Sequence, residues 1–321
     1  AHPSPFGRTV SGLIGATPPH HYDRGWHITG TTGMIGAAAA CSRLLGLTVD
    51  QAQMALGIAA SQPVGLREQF GSMTKPFHPG AAAKNGLMSA LLAQKGFTAS
   101  KRALEAPRGL IQAISDKHDW AEITEGLGTR WEAALNTYKP FACGIVIHPS
   151  IDGCVQLRNA HQLQAEDIAS VTLKVHSLVI ELTGKKTPQL GVEGKFSVYH
   201  SCAAGIIYGR AGEHEYADAC VQDPRVITLR DKITAVVDDT ISEASADVTI
   251  QTTDGRALHV FVEHAIGSLE RPMSAEQLKA KFTDQAAAEI GDEKAEAAWS
   301  AAMGLGIAPD VKALLAAATR P

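Results

Sequence analysis

Gly25-Trp26-His27-Ile28-Thr29-Gly30-Thr31-Thr32-Gly33, followed by the Ala-rich run Met34 to Leu45, opens the stretch around which the rest of the chain is arranged. A second apolar segment, Val49 to Ser61, leads to Gly71-Ser-Met-Thr-Lys75-Pro-Phe-His78-Pro-Gly80 and a third helical start, Ala81 to Leu92. The small residues of these segments predict helices whose backbones approach closely. The Gly-, Ser-, Thr- and Pro-rich stretches read as loops between them. Each carries a potential proton carrier, His27 in one and Lys75 with His78 in the other. A small-residue loop between buried helices has little reason to hold Lys and His unless something anionic sits there.

Punctuation fixes several ends. Thr48 is the expected N-cap of the second helix, with Gln51 in the capping-box position, and Gly96 is the C′ glycine of the third. Ser100 to Leu104, Gly109 to Lys117 and Ala121 to Leu127 read as shorter helical pieces. Residues 1–24, with Pro3, Pro5, Gly7, Gly12, Gly15, Pro18 and Pro19, are expected to be irregular. Near Thr137 the texture changes. His148-Pro-Ser-Ile-Asp-Gly reads as a loop joined to a helix that ends near His161, and Ile168 to His176 alternates as a strand. Phe196 to Tyr208 is an amphipathic helix. Pro224 to Thr228 and Leu229 to Val237 read as a short helix and its continuation. Ala246 to Glu263 is a hairpin turning at Asp254-Gly255. From Ser274, capped with Gln277 at N3, the pattern is helical again. The expected layout is mostly α: a helical domain beginning with 1–137, an α+β domain over 138–268, and a helical segment, 269–321, returning to the first domain.

At 321 residues the chain exceeds the usual size of a single core, in keeping with two domains. Its 45% hydrophobic and 19% charged content is that of an ordinary globular protein. A net charge of −4 and the lack of a long Lys/Arg run give no footprint for nucleic acid. No apolar run reaches the roughly 18 residues of a membrane span, and no signal-peptide pattern opens the sequence. Five cysteines at unrelated spacings point to neither a zinc site nor a disulfide framework, so a reducing cytoplasm is expected.

Several long motifs stand in order: Gly25 to Ala40, Leu56-Gly-Ile-Ala-Ala-Ser-Gln62, Thr74-Lys75-Pro-Phe-His78-Pro-Gly-Ala-Ala-Ala-Lys-Asn-Gly86, Lys139-Pro-Phe-Ala-Cys-Gly-Ile-Val-Ile-His148-Pro-Ser-Ile-Asp152 and Lys195-Phe-Ser-Val-Tyr199. Together they resemble the MmgE/PrpD family, which includes 2-methylcitrate dehydratase, cis-aconitate decarboxylase and iminodisuccinate epimerase. The resemblance implies a large all-helical domain with a smaller α+β lid domain, a cleft between them, a homodimer, and chemistry without metal or organic cofactor. It also implies site residues His2, His27, Lys75, His78, Lys139, His148 and Tyr199. Family members carry a helical segment with an Asp-Asp stretch ahead of the motif that His2-Pro3-Ser4 resembles. That segment is missing here: either the sequence omits residues that the molecule has, which is the expectation, or the chain is a shortened member.

The implied substrates carry two or three carboxylates and a weakly acidic C–H beside one of them. Such chemistry needs a base at the C–H and cations around the carboxylate that gains enolate-like charge. The expected assignment is catalysis by His27, Lys75, Tyr199 and His2, with Lys139, His148 and His78 binding substrate. Lys75, Lys139, His78 and His148 are expected to supply positive charge and donors, and a desolvated Lys could itself be the base. The expected activity is a lyase, dehydratase or decarboxylase, acting on a small polycarboxylate through a carbanion. An imino- or amino-dicarboxylate epimerase and an inactive binding relative are the alternatives. Without the resemblance, His27 reads as a packing or capping histidine, Lys75 as a solvated lysine, His78 as a turn residue and Tyr199 as core. His20 and His21 are poorly spaced for a metal, and Cys143 reads as a small packing residue.

Overall fold

The computed structural model describes residues 20–126, 129 and 132–319. The chain forms two compact units, Ala1–Asn136 and Thr137–Pro321. Secondary structure is mostly helical, and the four-stranded sheet belongs to the second unit.

In the first unit, α1 (Ile28–Leu44), α2 (Val49–Ala59) and α3 (Thr74–Gln94) enclose a core that includes Met34, Ile35, Ala55, Ala59, Ala82 and Ala90. The core is built from small residues because the backbones nearly touch. A Cβ on Gly86 would lie 2.3 Å from the Cβ of Ala37 and 2.7 Å from the Met34 carbonyl oxygen, and one on Gly30 would lie 2.1 Å from the Val64 carbonyl oxygen. These contacts explain a difference from the sequence reading. The stretches expected as loops are largely the first turns of helices, with α1 starting at Ile28 and α3 at Thr74. Gly30 and Gly33 serve close packing there, while Gly25 (φ +96°) and Gly71 (φ +89°) turn the chain ahead of the two helices. Pro76 is tolerated because the first amides of a helix have no intrahelical acceptor.

The predicted caps are present. Thr48 and Gln51 form the capping box, while Phe97 N–H to Leu92 and Gly96 N–H to Ala93, both 3.0 Å, make a Schellman end with Gly96 at φ +85°. Of the expected shorter pieces, Leu110–Ile114 and Ala121–Thr124 are helical, and residues 101–105 are turns. His20–Asp23 forms a short helix inside the region expected to be irregular.

In the second unit the strands β1 (Ile168–Val175), β2 (Ile233–Val237), β3 (Ala246–Thr252) and β4 (Ala257–Val262) lie in the order β2-β1-β3-β4. β1 pairs parallel with β2 and antiparallel with β3, and β3 and β4 form the predicted hairpin, with Gly255 at φ +89°. Alternation buries Val171, Leu173, Val175, Val248 and Ile250 on one face. Helix α4 (His148–His161) packs on that face so tightly that a Cβ on Gly153 would lie 2.7 Å from Val248 Cγ2. Helix α5 (Val198–Tyr208) lies beside it, with Gly205 against Ile151.

One expectation needs correction here. The helix from Pro224 stops at Asp231, and Ile233-Thr-Ala-Val-Val237 is a strand. Its β-branched residues fit a pleated surface, and pairing with β1 satisfies its backbone. Residues 269–321, expected to return to the first domain, group with the second unit. Within it, Arg210 reaches Asp284 (3.3 Å) on the Ala275–Ile290 helix, capped as predicted by Ser274 and Gln277.

Candidate active site

The expected site residues fall into three groups. The first lies in the first unit. His27 is the N-cap of α1, and its backbone N–H donates to the Gly65 carbonyl at 3.1 Å. His78 is buried in the second turn of α3, and Lys75 is half-buried one turn earlier. The two imidazoles meet directly, Nδ1 to Nδ1, at 2.8 Å. Phe70 stands edge-on to His27, with ring centroids 5.1 Å apart, and the Lys75 ammonium is 5.9 Å from the Phe70 centroid. Gly65 holds φ +97°, and a Cβ there would lie 2.9 Å from His78 Nδ1, so glycine makes room for the ring.

Burial, then the charges of Lys75 and His78, pushes His27 down to about 4. Burial and Lys75 also lower His78. Both rings are therefore mainly neutral near pH 7. A single hydrogen bridges them, so one Nδ1 donates and the other accepts.

The second group lies in the second unit around a cavity of about 220 Å³. Lys139, His148 and Ile266 are on its walls with His264, Glu243 and Glu270. His148 opens α4, rather than preceding it in a loop, and is 3% exposed. Its Nε2 is buried without a hydrogen-bond partner among the described residues. Burial first and the Lys139 charge second push His148 down to about 4, against the opposing pull of the Cys143 and Phe141 carbonyls. Lys139 is exposed, and its ammonium donates to the Cys143 carbonyl at 2.9 Å. The far wall is held by Asp152, one turn along α4, which accepts from Arg271 Nη1 (2.8 Å) and from the Ile266 N–H (3.0 Å). Gly267, at φ +88°, presses on the Tyr138 carbonyl and Pro140, where a Cβ would lie 2.4 Å from the former.

The third element is Tyr199 on α5, half-buried, with its hydroxyl pushed up by burial. Tyr199 does not line the cavity of Lys139 and His148. Its ring faces the Lys186 ammonium at 4.1 Å. His2 lies outside the described residues.

Positive charge and donors were expected from His78 and His148 as well as the lysines; burial lowers both histidines, His148 to about 4, which favours the uncharged imidazole, a donor at one ring nitrogen and an acceptor at the other. Sequence reasoning also missed three residues. Asp152 carried a signal, since it stands one helical turn after His148. Arg271 and Lys186 carried none, because each resembles an ordinary solvated cation. Cys143 is a buried packing residue as read, with its thiol pushed up to about 12 by burial. His21 is likewise internal, 2.8 Å from the Thr31 hydroxyl. Among the described residues no group of three or more His, Cys, Asp or Glu is arranged to hold a metal ion. No described helix is long and apolar enough to cross a membrane.

Residues 10–123 match the MmgE/PrpD N-terminal domain and residues 141–305 the MmgE/PrpD C-terminal domain. The chain is 26% identical over 313 residues to the cis-aconitate decarboxylase-like protein oryM of Aspergillus oryzae, covering 91% of this chain and 65% of that protein. It is 26% identical over 316 residues to the cis-aconitate decarboxylase of Aspergillus terreus, covering 91% of this chain and 64% of the relative. Against the 2-methylcitrate dehydratase of Escherichia coli it is 25% identical over 255 residues, or 74% and 53% of the two chains. The chain thus spans less than two thirds of the length of these relatives.

Proposed function

Because the chain belongs to the MmgE/PrpD family, we propose that it is a lyase acting on a small di- or tricarboxylate, such as cis-aconitate or 2-methylcitrate, through a carbanion next to a carboxylate, without a cofactor. The observation that carries the proposal is the contact of two buried, neutral imidazoles beside the Lys75 ammonium. A neutral imidazole can take a proton from carbon, and a neighbouring cation favours the negative charge left behind.

The residues take the following roles. Lys75 and Lys139 bind carboxylates and stabilise the charge that builds up on one of them. His27 removes the α-proton. Tyr199, which burial keeps in its protonated form, gives a proton. His148, neutral with a bare buried Nε2, accepts a hydrogen bond from a substrate hydroxyl or acid group. His2 is a further proton carrier. In a dehydration the C–H electrons form the double bond as hydroxide leaves with the proton from Tyr199. In a decarboxylation the C–C electrons stay on carbon as CO2 departs, and the same proton quenches the carbanion. The proposed assembly is a cytoplasmic homodimer; sedimentation of the full-length protein tests the dimer, and fractionation of cells tests the compartment.

The function test is turnover by the full-length protein in D2O with cis-aconitate, 2-methylcitrate and related acids. Loss of CO2 or water, with deuterium entering next to a carboxylate wherever CO2 leaves, is the expected result. Deuterium uptake at a stereocentre without either loss would make the protein an epimerase. Calorimetric binding without turnover of any of them would make it a binding protein and end the lyase reading.

A further inference from the structure

The contact between His27 and His78 constrains more than charge. Two neutral imidazoles can share an Nδ1–Nδ1 hydrogen bond only as opposite tautomers. If the Nδ1 of one ring carries the proton, its Nε2 is bare, while the other ring has a bare Nδ1 and a protonated Nε2. At 2.8 Å, with His27 7% and His78 4% exposed, the bond has little competition from water. Gly65 fixes the position of the His78 ring, because its missing Cβ is the space that ring occupies. The same loop ties down His27 through the Gly65 carbonyl. Both partners are thus held by one short segment.

We propose that His78 is a positioning residue rather than a substrate ligand: its bare Nδ1 accepts the Nδ1–H of His27 and so keeps the Nε2 of His27 bare for proton abstraction. The proposal rests on His27 being the proton carrier of the lyase reading. The arrangement has the logic of a carboxylate behind a catalytic histidine, which fixes tautomer and orientation without becoming protonated. A neutral imidazole does this without adding negative charge near a polycarboxylate.

The test uses full-length protein labelled with 15N in histidine, free of substrate at pH 7, and reads the tautomer of each ring by two-bond couplings. The wild type should show His27 protonated at Nδ1 and His78 at Nε2. In His78→Phe the His27 tautomers should mix, with kcat falling roughly 10- to 100-fold and KM changing little, as for the loss of an orienting partner. His78→Asn places its amide near the lost Nδ1 and should restore the tautomer and most of kcat. His78→Gln reaches past that point and should restore neither. The Asn and Gln pair keeps the test valid if His78→Phe does not fold. A wild-type His27 protonated at Nε2, a His27 tautomer untouched by these variants, or a restored tautomer without restored kcat would each overturn the proposal. Because the tautomers are read without turnover, a locked His27 in a protein inert to polycarboxylates would support the pairing and sink only the lyase reading.

Discussion

Lys75 and two of the depressed histidines, His27 and His148, give residue-scale predictions. Lys75→Ala should lower kcat/KM by roughly 100-fold or more, as the loss of a charge-stabilising group does. Its effect on stability should stay within about 1 kcal/mol, since the side chain is half-buried in the first turn of α3 and not core. Steady-state kinetics and a thermal melt check the two together. His27 and His148 titrate near 4 in the folded chain and near 6.5 when unfolded. Between those values the unfolded state binds more protons, so their contribution to stability is intact above about pH 6.5 and falls as pH drops towards 4. Each unit of pKa is worth about 1.4 kcal/mol. Tm measured from pH 7.5 to 4 should therefore decline on acidification, and less steeply in His148→Asn. The sequence could propose these residues but not their charge. Residue type says that a histidine can titrate, while burial and the nearest cation decide where, and neither is visible along the chain.

Among the elements, α1 and α3 are held by backbone proximity, so adding atoms at their crossing is the sharpest perturbation. Gly86→Ala places a Cβ 2.3 Å from that of Ala37 and should cost about 1–3 kcal/mol by overpacking, read from the denaturant midpoint. Helix ends were legible because caps are local chemistry: Thr48 with Gln51, Gly96, and Ser274 with Gln277 all act where they were read. The glycines of 25–36 and 80–86 were not, because a glycine needed for a turn and one needed for contact look alike until the neighbour is known. Ile233–Val237 was missed because a short apolar run after a helix has no period of its own, and only its pairing with β1 makes it a strand. The segment 264–271 offers a further test. Arg271→Met leaves the buried Asp152 carboxylate with the Ile266 N–H and should speed hydrogen–deuterium exchange at Ile266, with slower exchange at β3 unchanged.

At the scale of the whole molecule, the two units have separate apolar cores, one rich in alanine and one in valine, leucine and isoleucine. Unfolding should therefore depart from a single two-state transition. Calorimetry of Gly86→Ala should show the loss confined to one component, and a single peak moving as a whole would refute that independence. The parallel pairing of β1 with β2 also sets an order in time. β1 leaves the ribosome first, and its two neighbours in the sheet come only after the whole of residues 176–232 has been made. The central strand therefore waits, its edges open, while the segment carrying Tyr199 is synthesised. Assembly of the second unit is thus bound to long-range closure, and it should be the slower of the two to regain its structure after dilution from denaturant.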